Sequence, residues 1–314
     1  MLEVSISAVS KSGSRLILII FLFIVFIKTS FSQTATWDGS SSTDWNTAAN
    51  WSTNAVPTSS NDVIIPNVTN NPVISSSSDE CQNLTIQNGG VLTSNNGSYK
   101  LTAATITVND GGSLVISDGE IECTGKADID GLLTISGSGA TLDVNGELEL
   151  SSTTSESISD GNISLVGDFD ADDANNFTPT GGTLTMDGSG ADATITLHSS
   201  ANFNNLTINV GSYDVDAGSN FDVDGALTVS GGELDVLART VTVAGASDVA
   251  SGATLNINGS GVYDANGSFD ANGGTINMDG TAKLQLASTV TNLGTLDNAA
   301  GTVEYNGGAQ DVIA

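Results

Sequence analysis

The sequence predicts an all-β protein folded as a right-handed parallel β-helix, or β-solenoid, and two observations support this prediction. A short phrase of two apolar residues around one polar residue recurs along the chain, as in Leu206-Thr-Ile208, Leu255-Asn-Ile257 and Ile276-Asn-Met278. Such alternation is the two-residue period of a strand with one buried face. The phrases are also too short to form stable strands alone, so successive strands must stack around a common core.

The number and spacing of the phrases set the expected length of the stack. Seventeen of them lie between Leu84 and Tyr305, and the middle residue is polar in sixteen. That regularity disfavours helices, whose apolar residues recur every three to four positions. The Gly-Gly pairs that begin at Gly89 and Gly111 are 22 residues apart, which indicates a turn of about 21 residues and about eleven turns in all. A β-sandwich is the competing architecture, but strands this short without longer partners disfavour it.

Glycine pairs mark the predicted corners of the coil. Asn-Gly and Asp-Gly pairs follow several phrases closely, for example at Asn145-Gly146, Asp187-Gly188 and Asn258-Gly259. These residue types tolerate the left-handed backbone conformation that tight corners require. We therefore expect positive φ angles at these pairs.

Residues 1–32 have the pattern of a signal peptide. Lys11 and Arg15 precede an unbroken apolar run from Leu16 to Ile27, and Ser30-Phe-Ser32 offers a small-x-small cleavage site. A membrane anchor is the alternative, but a span needs about 20 apolar residues. We expect cleavage after Ser32, and therefore a secreted or cell-surface protein whose mature chain has no membrane span.

Residues 33–80 form a tryptophan-rich head that differs from the repeats of residues 81–314. The head contains all three tryptophans, Trp37, Trp45 and Trp51. Large aromatic side chains can close the exposed apolar end of a solenoid, which needs an atypical terminal unit. We predict such a cap; a sugar-binding aromatic platform is the alternative.

At the other end the phrase recurs at Gly301 and stops soon afterwards, so we expect a fragment of a longer protein.

The head resembles the opening of large repetitive surface proteins that gram-negative bacteria export through the type IX secretion route. The resemblance rests on Trp37-Asp-Gly39, Thr43-Asp-Trp45, Asn50-Trp51, Val56-Pro57, Asp62-Val-Ile-Ile-Pro66, Asn71-Pro-Val-Ile74 and Cys81-Gln-Asn-Leu-Thr-Ile86. It implies β-helical repeats after the head and an adhesin-like role, but it implies no single biochemical activity. Members of that family end in a separate C-terminal sorting domain, and this sequence departs from them because it contains no recognisable one.

Charge excludes several kinds of partner. The chain has a formal net charge of −29, and residues 1–32 contain three of its seven basic residues but only one of its 36 acidic residues. A mature surface of this sign repels phosphate backbones and anionic membranes, so nucleic acid is not an expected partner. An extracellular surface or a polysaccharide is the expected partner class.

Cys81 and Cys123 are the only cysteines. An exported protein permits a disulfide, but the 42-residue separation corresponds to about two turns of the coil, at about 4.8 Å per turn. That distance exceeds the reach of a disulfide. Two buried free thiols are therefore favoured over a bridge.

No set of residues forms a coherent catalytic motif, so we expect a non-enzyme with no catalytic or cofactor-binding residues. His198 is the single histidine, and no Gly-x-Ser-x-Gly sequence accompanies it. Clustered aspartates could serve a polysaccharide hydrolase as general acid and base. A lyase would need a basic residue near calcium, but the four basic residues after position 32 are scattered.

Calcium is the most specific ligand that the sequence suggests. Asp168, Asp170, Asp172 and Asp173 form an Asp-x-Asp-x-Asp-Asp run that we place in a loop, and carboxylate oxygens suit Ca²⁺. The run lacks the glycine and the glutamate of an EF-hand. The pairs Asp214/Asp216 and Asp222/Asp224 should each place two carboxylates on one strand face. A solvated acidic surface is the simpler interpretation of all these residues.

The sequence therefore predicts an exported structural or adhesin-like repeat protein that acts as an acidic rod. A carbohydrate-active β-helix enzyme or a carbohydrate-binding module is the alternative. Three or more carboxylates in a groove beside an aromatic side chain would favour the alternative.

Overall fold

Strands account for nearly all regular structure in the described residues. The computed structural model describes residues 33–188, 192–298, 300–308 and 310, so the predicted signal peptide lies outside the described residues. One short 3-10 helix, Ala48–Asn50, interrupts the strands in the described part of the chain. In chain order the strands are β1 (Gln33–Thr36), β2 (Asn61–Ile65), β3 (Asp79–Ile86), β4 (Val91–Val108), β5 (Ser113–Cys123), β6 (Ala127–Ile129), β7 (Leu132–Ile135), β8 (Ala140–Val144), β9 (Leu148–Leu150), β10 (Ser155–Ile158), β11 (Asn162–Leu165), β12 (Phe169–Ala171), β13 (Thr183–Met186), β14 (Ala193–Leu197), β15 (Asn202–Phe203), β16 (Asn205–Ala217), β17 (Phe221–Val223), β18 (Leu227–Asp235), β19 (Thr240–Val243), β20 (Ser247–Val249), β21 (Thr254–Ile257), β22 (Val262–Ala265), β23 (Phe269–Asp270), β24 (Thr275–Met278), β25 (Lys283–Leu286), β26 (Val290–Asn292), β27 (Thr295–Asn298) and β28 (Thr302–Tyr305).

The strand segments stack in parallel as three ladders, which we name A, B and C. Ladder A begins with β1 and β2 and continues through Leu84, Ile106 and later coils to β27. Ladder B contains the start of β4 and, near the other end, β25 and β28. Ladder C contains the middle of β4, the end of β5, β8 and later strands as far as β26. From β3 to β27 ladder A has eleven segments, so the predicted parallel β-helix of about eleven turns is confirmed.

Alternating burial explains why the short phrases become strands. In β8, for example, Ala140, Leu142 and Val144 are fully buried, whereas Thr141 and Asp143 between them face outward. Each buried residue stacks on its counterpart one coil away, so apolar area that no strand could bury alone becomes one continuous core.

Several strands are much longer than the sequence predicted. β4 has 18 residues, β16 has 13 and β5 has 11, because each bends through a corner and contributes to two ladders. In β4 the bend follows Ser94, where the register with β5 shifts before resuming at Lys100. The expectation of uniformly short strands is therefore wrong at these corners.

Ladder B changes character in the middle of the stack. Between β10 and β15 it has no strand in the described residues, and the coil continues through single backbone hydrogen bonds such as Thr180 N to Ile158 O at 2.9 Å. Phenylalanines fill the core here, with ring centroids 5.3 to 6.0 Å apart, and they are Phe169, Phe177, Phe203 and Phe221. Bulky side chains thus replace the missing strand contacts.

The tryptophan-rich head joins the stack directly. Trp51 packs edge-on against both Trp37 and Trp45, with ring centroids 4.9 and 4.7 Å apart, and all three are at most 1% exposed. Their burial leaves no tryptophan face open to a sugar, so the structure does not provide the aromatic platform considered above. β2 pairs with β3, and Val73 bridges both Asp44 and Thr93. The described residues belong to a single compact unit across position 80.

The glycines at the corners serve two distinct purposes. Gly259 has the expected positive φ of 60°, but Gly146 and Gly188 are not among the residues with positive φ. A Cβ on Gly146 would lie 2.6 Å from the backbone of Gly125, one coil below. The expectation of positive φ is therefore wrong at Gly146 and Gly188, where close stacking of successive corners excludes a side chain.

No helix in the described residues is long and apolar enough to cross a membrane.

Candidate functional site

Outward-facing carboxylates form a column on ladder A. Register places Glu149 opposite Asp128 on one side and Asp170 on the other. Partial burial raises the pKa of Asp128 and Asp170, and neighbouring carboxylates raise it further. The column therefore stacks like charges at the strand spacing of about 4.8 Å.

Two lysines pair with outward-facing carboxylates in the N-terminal half of the stack, Lys126 at ladder A and Lys100 in ladder C. Lys126 forms ion pairs with Glu147, at 3.3 Å, and with Glu149. Lys100 lies 2.7 Å from Glu120 and 3.0 Å from Glu122, and its hydrogen bond lowers the pKa of Glu122. The side chains are 20–42% exposed, so each pair contributes at most about 1 kcal/mol.

A second carboxylate cluster lies on β16 and β18, and we name it the acidic square. Its members are Asp214, Asp216, Glu233 and Asp235. Register places Glu233 opposite Asp214, and Asp235 opposite Asp216. The predicted pairing of Asp214 and Asp216 on one face is confirmed, because buried Val215 separates them. Burial, the largest cause, and the neighbouring carboxylates raise the pKa of Asp216, Glu233 and Asp235.

Two asparagines on the next coil hold one side of the acidic square. Asn256 Nδ2 donates a hydrogen bond of 2.7 Å to Glu233 Oε1. Asn258 Nδ2 donates to both oxygens of Asp235, at 3.0 and 3.2 Å. The carboxylates of β18 are therefore fixed in orientation while remaining half-exposed.

A groove runs beside the acidic square at the corner between ladders C and A. Its volume is about 260 Å³, and its lining consists of Gly211, Ser212, Tyr213, Asp214, Gly232, Glu233, Gly252 and Thr254. The strand register shifts between Asn209 and Asp214, so this part of β16 bulges outward and places half-buried Tyr213 at the groove. The lining spans three coils, which corresponds to about 10 Å.

The predicted calcium residues do not form one cluster. Asp170 lies on β12 rather than in a loop, which corrects the expectation, whereas Asp172 and Asp173 are exposed in the turn that follows. Asp168 Oδ1 accepts a hydrogen bond of 2.7 Å from the Thr194 N–H. In the described part of the chain no group of three or more His, Cys, Asp or Glu residues is arranged to hold a metal ion.

His198 makes a local turn contact. Its Nδ1 lies 2.8 Å from Ser200 Oγ, and that hydroxyl donates to the carbonyl of Asn175 at 2.7 Å. The Ser200 N–H also points at Nδ1, at 3.2 Å. The hydroxyl of Ser200 therefore has two competing acceptors, Nδ1 and the Asn175 carbonyl, and the contacts of His198 are confined to its own turn and the neighbouring coil.

The remaining aspartate pair of the sequence analysis is split by the end of its strand. Asp222 lies on β17 with Asn202 and Thr242 opposite it. Asp224 follows the strand and accepts a hydrogen bond of 2.7 Å from Asn202 Nδ2. Neither residue lines the groove at Tyr213.

Tyr213, Glu233 and Asp235 were not among the candidate residues predicted from the sequence. A signal existed, because Gly211-Ser-Tyr-Asp-Val-Asp216 and Gly231-Gly-Glu-Leu-Asp235 both place acidic residues on either side of an apolar one after a glycine. Aligning these two segments would have stacked the acidic pairs. The spacing between them is irregular because of the bulge.

Comparison with known proteins adds one match. A family model described as "Domain of unknown function (DUF8693)" matches residues 36–120, which comprise most of the head and the first coils. No curated protein and no solved structure matches the chain. Fold and surface together define a parallel β-helix with acidic outward columns and a groove at one corner.

Proposed function

We propose that this chain is an exported structural or adhesin-like protein, in which an acidic β-helical rod holds its outward faces away from the cell. The main support is the continuous parallel stack from β1 to β28, whose core is apolar and whose outward columns are polar and acidic. Such a stack is stiff because every coil is bonded to both neighbours. Eleven coils extend about 50 Å.

The rod proposal can be tested on cells. Antibodies raised against the purified protein should label intact, unpermeabilised cells of the organism that encodes it. Deleting the gene should reduce attachment to surfaces or between cells, and the wild-type gene should restore it. Replacing Leu16 with Asp within residues 1–32 should keep the protein inside and abolish labelling. Labelling only after permeabilisation would contradict the proposal.

Polysaccharide binding is a second candidate function, and the groove at Tyr213 favours it. An aromatic side chain offers an apolar face to a sugar ring, and carboxylates accept hydrogen bonds from sugar hydroxyls. Here Tyr213 stands beside Asp214 and Glu233, with Thr254 on a neighbouring coil. The groove is about 10 Å long. That length suits a short stretch of a glycan chain and is too small for contact with an extended solid surface.

A pair of matched tyrosines separates this function from the rod proposal. Tyr213 follows Gly211-Ser212, and Tyr99 follows Gly97-Ser98 at another corner. If the groove binds glycan, Tyr213→Ala should weaken binding to a panel of neutral polysaccharides about tenfold or more, whereas Tyr99→Ala should not. Calorimetry or affinity electrophoresis would measure this. Absence of binding by the wild-type protein would exclude the second candidate and leave the rod proposal intact.

A further inference from the structure

Among the described residues, no basic side chain forms an ion pair with the acidic square. From β14, Thr194 lies opposite Asp216, and Asp192 Oδ1 accepts a 3.3 Å hydrogen bond from the Asp214 N–H. From β21, Thr254 and Asn256 lie opposite Glu233 and Asp235. Hence a fifth carboxylate, that of Asp192 just before β14, adds its negative charge to the square.

The N-terminal half of the same rod provides the contrast. There, Lys100 lies between Glu120 and Glu122, and Lys126 pairs with Glu147 and Glu149. The ion pairs that join two described residues are those of these two lysines. One rod therefore carries acidic clusters that contain a lysine and an acidic cluster that contains none.

Packing prevents the square from relieving its repulsion by moving apart. Val215 and Leu234, which alternate with its members, are fully buried in the core. Gly232, just before Glu233, has a φ of 74°, and a Cβ there would lie 2.5 Å from Val210. Because the backbone register is held in this way, repulsion can fall only if a carboxylate gains a proton or if β16 and β18 separate.

We propose that the acidic square makes the β16–β18 region a pH-responsive joint of the rod, which is loosest at neutral pH and tightens on acidification. Partial burial and like charges raise the pKa of three of its members, so the folded state binds protons at higher pH than the unfolded state does. Stability contributed by such groups rises as the pH falls through the folded-state pKa. Two facing carboxylates can also share one proton.

Hydrogen exchange measured by mass spectrometry tests the joint within one molecule. We expect amide protection factors, corrected for intrinsic exchange, to rise about tenfold in Asn205–Ala217 and Leu227–Asp235 between pH 7.5 and pH 4.5. Protection in the lysine-paired segment of β4 and β5 should rise much less, because Lys100 lowers the pKa of Glu122 and so opposes the effect of Asp143, whose pKa is raised. The proposal is overturned if the square gains no protection, or if both regions gain it equally.

Two charge-matched double variants complete the test. Asp216→Asn with Asp235→Asn should raise protection in β16 and β18 at pH 7.5 about tenfold and remove most of their pH response. The control double variant, Asp110→Asn with Asp222→Asn, removes the same net charge at two exposed positions. Asp222 has Asn202 and Thr242 opposite it rather than carboxylates. This variant should change neither the protection of β16 and β18 at pH 7.5 nor their pH response. An equal effect of both variants would show that net charge alone is responsible and would overturn the proposal. If a variant fails to fold, the comparison of the two regions within the wild-type protein still tests the proposal.

Discussion

Cys81 and Cys123 lie in the same ladder, two coils apart, with Ala103 directly between them. Both thiols are free and buried. The expectation of two free thiols is confirmed. One strand lies between the two cysteines, and this separation is too large for a disulfide bond. Burial raises the pKa of the Cys81 thiol to about 12 and also raises that of Cys123.

We predict that neither thiol reacts while the protein is folded. Iodoacetamide at pH 8 should leave both cysteines unmodified in the native protein and alkylate both after denaturation, because only the exposed thiolate is nucleophilic. Intact-mass spectrometry would count the modifications. Rapid alkylation of the native protein, or a mass two units lower without reductant, would contradict the structure.

Asn50 is the polar centre of the head. Its Oδ1 accepts hydrogen bonds from the N–H groups of Ser41 and Ser42, and its Nδ2 donates to the Ser42 hydroxyl and the Asp44 carbonyl. We predict that Asn50→Ala lowers the free energy of unfolding by about 2–3 kcal/mol, because the four hydrogen bonds of this buried side chain are lost. Chemical denaturation would measure it.

Ser59 provides the matched control for the Asn50 prediction. It is exposed in the turn before β2, so Ser59→Ala should change the free energy of unfolding by less than about 0.5 kcal/mol. A similar loss in both variants would mean that the hydrogen bonds of Asn50 do not hold the head.

Gly146 stacks directly on Gly125, and Gly167 stacks on Gly146. We predict that Gly146→Ala destabilises the protein by about 1–3 kcal/mol, because the added Cβ would overlap the backbone one coil below. Gly308 also lacks a positive φ, but a Cβ there meets nothing within 4 Å. Gly308→Ala should therefore leave the melting temperature unchanged, and equal shifts would disprove the stacking argument.

Leu237 is an exposed leucine, 36% accessible, with a φ of 52°. A left-handed backbone costs leucine about 1–2 kcal/mol, whereas asparagine tolerates it. We predict that Leu237→Asn raises the melting temperature and that Leu237→Val, which is β-branched, lowers it. If asparagine gave no gain, the left-handed turn after β18 would not be strained.

Calcium removal should leave the fold unaffected. One oxygen of Asp168 accepts from the Thr194 N–H and one oxygen of Asp170 accepts from the Asp172 N–H, and no described group of three carboxylates is arranged to hold a metal ion. We therefore expect the same melting midpoint with calcium and with chelator. A midpoint several degrees lower in chelator, restored by calcium but not by magnesium, would establish a calcium site.

The core shows how far the sequence pattern was sufficient. The phrase of Leu, Ile, Val and Met around a polar residue correctly located strands such as β8, β13 and β21. It did not include strands whose inward residues are of other types, such as the alanines of β6 and β12. It also missed Ser247 in β20 and Tyr263 in β22, whose side chains bond each other in the core at 3.0 Å.

These strands were missed because the neighbouring coils, rather than the strand itself, determine how large a side chain each inward-facing position can hold. A buried Ala127 is adequate where Ile106 and Leu148 lie above and below it. Tyr263 stacks between Val241 and Leu284 and packs edge-on against Phe269, and the Ser247 hydroxyl accepts a hydrogen bond from its hydroxyl group. Packing density is a property of the whole stack, so single-strand patterns cannot report it.

By itself, the sequence determined the local rule: alternation of apolar and polar residues makes each segment a strand with one buried face, and glycine-rich corners make the strands turn. It also determined the acidic charge, because composition does not depend on folding. Only the tertiary structure decided which outward residues meet. Asp216 and Asp235 are 19 residues apart in the chain and become neighbours because a corner bulge sets the register of β16 on β18. The same register places Tyr213 at a groove and leaves the acidic square without a lysine, and such relations exist only between coils.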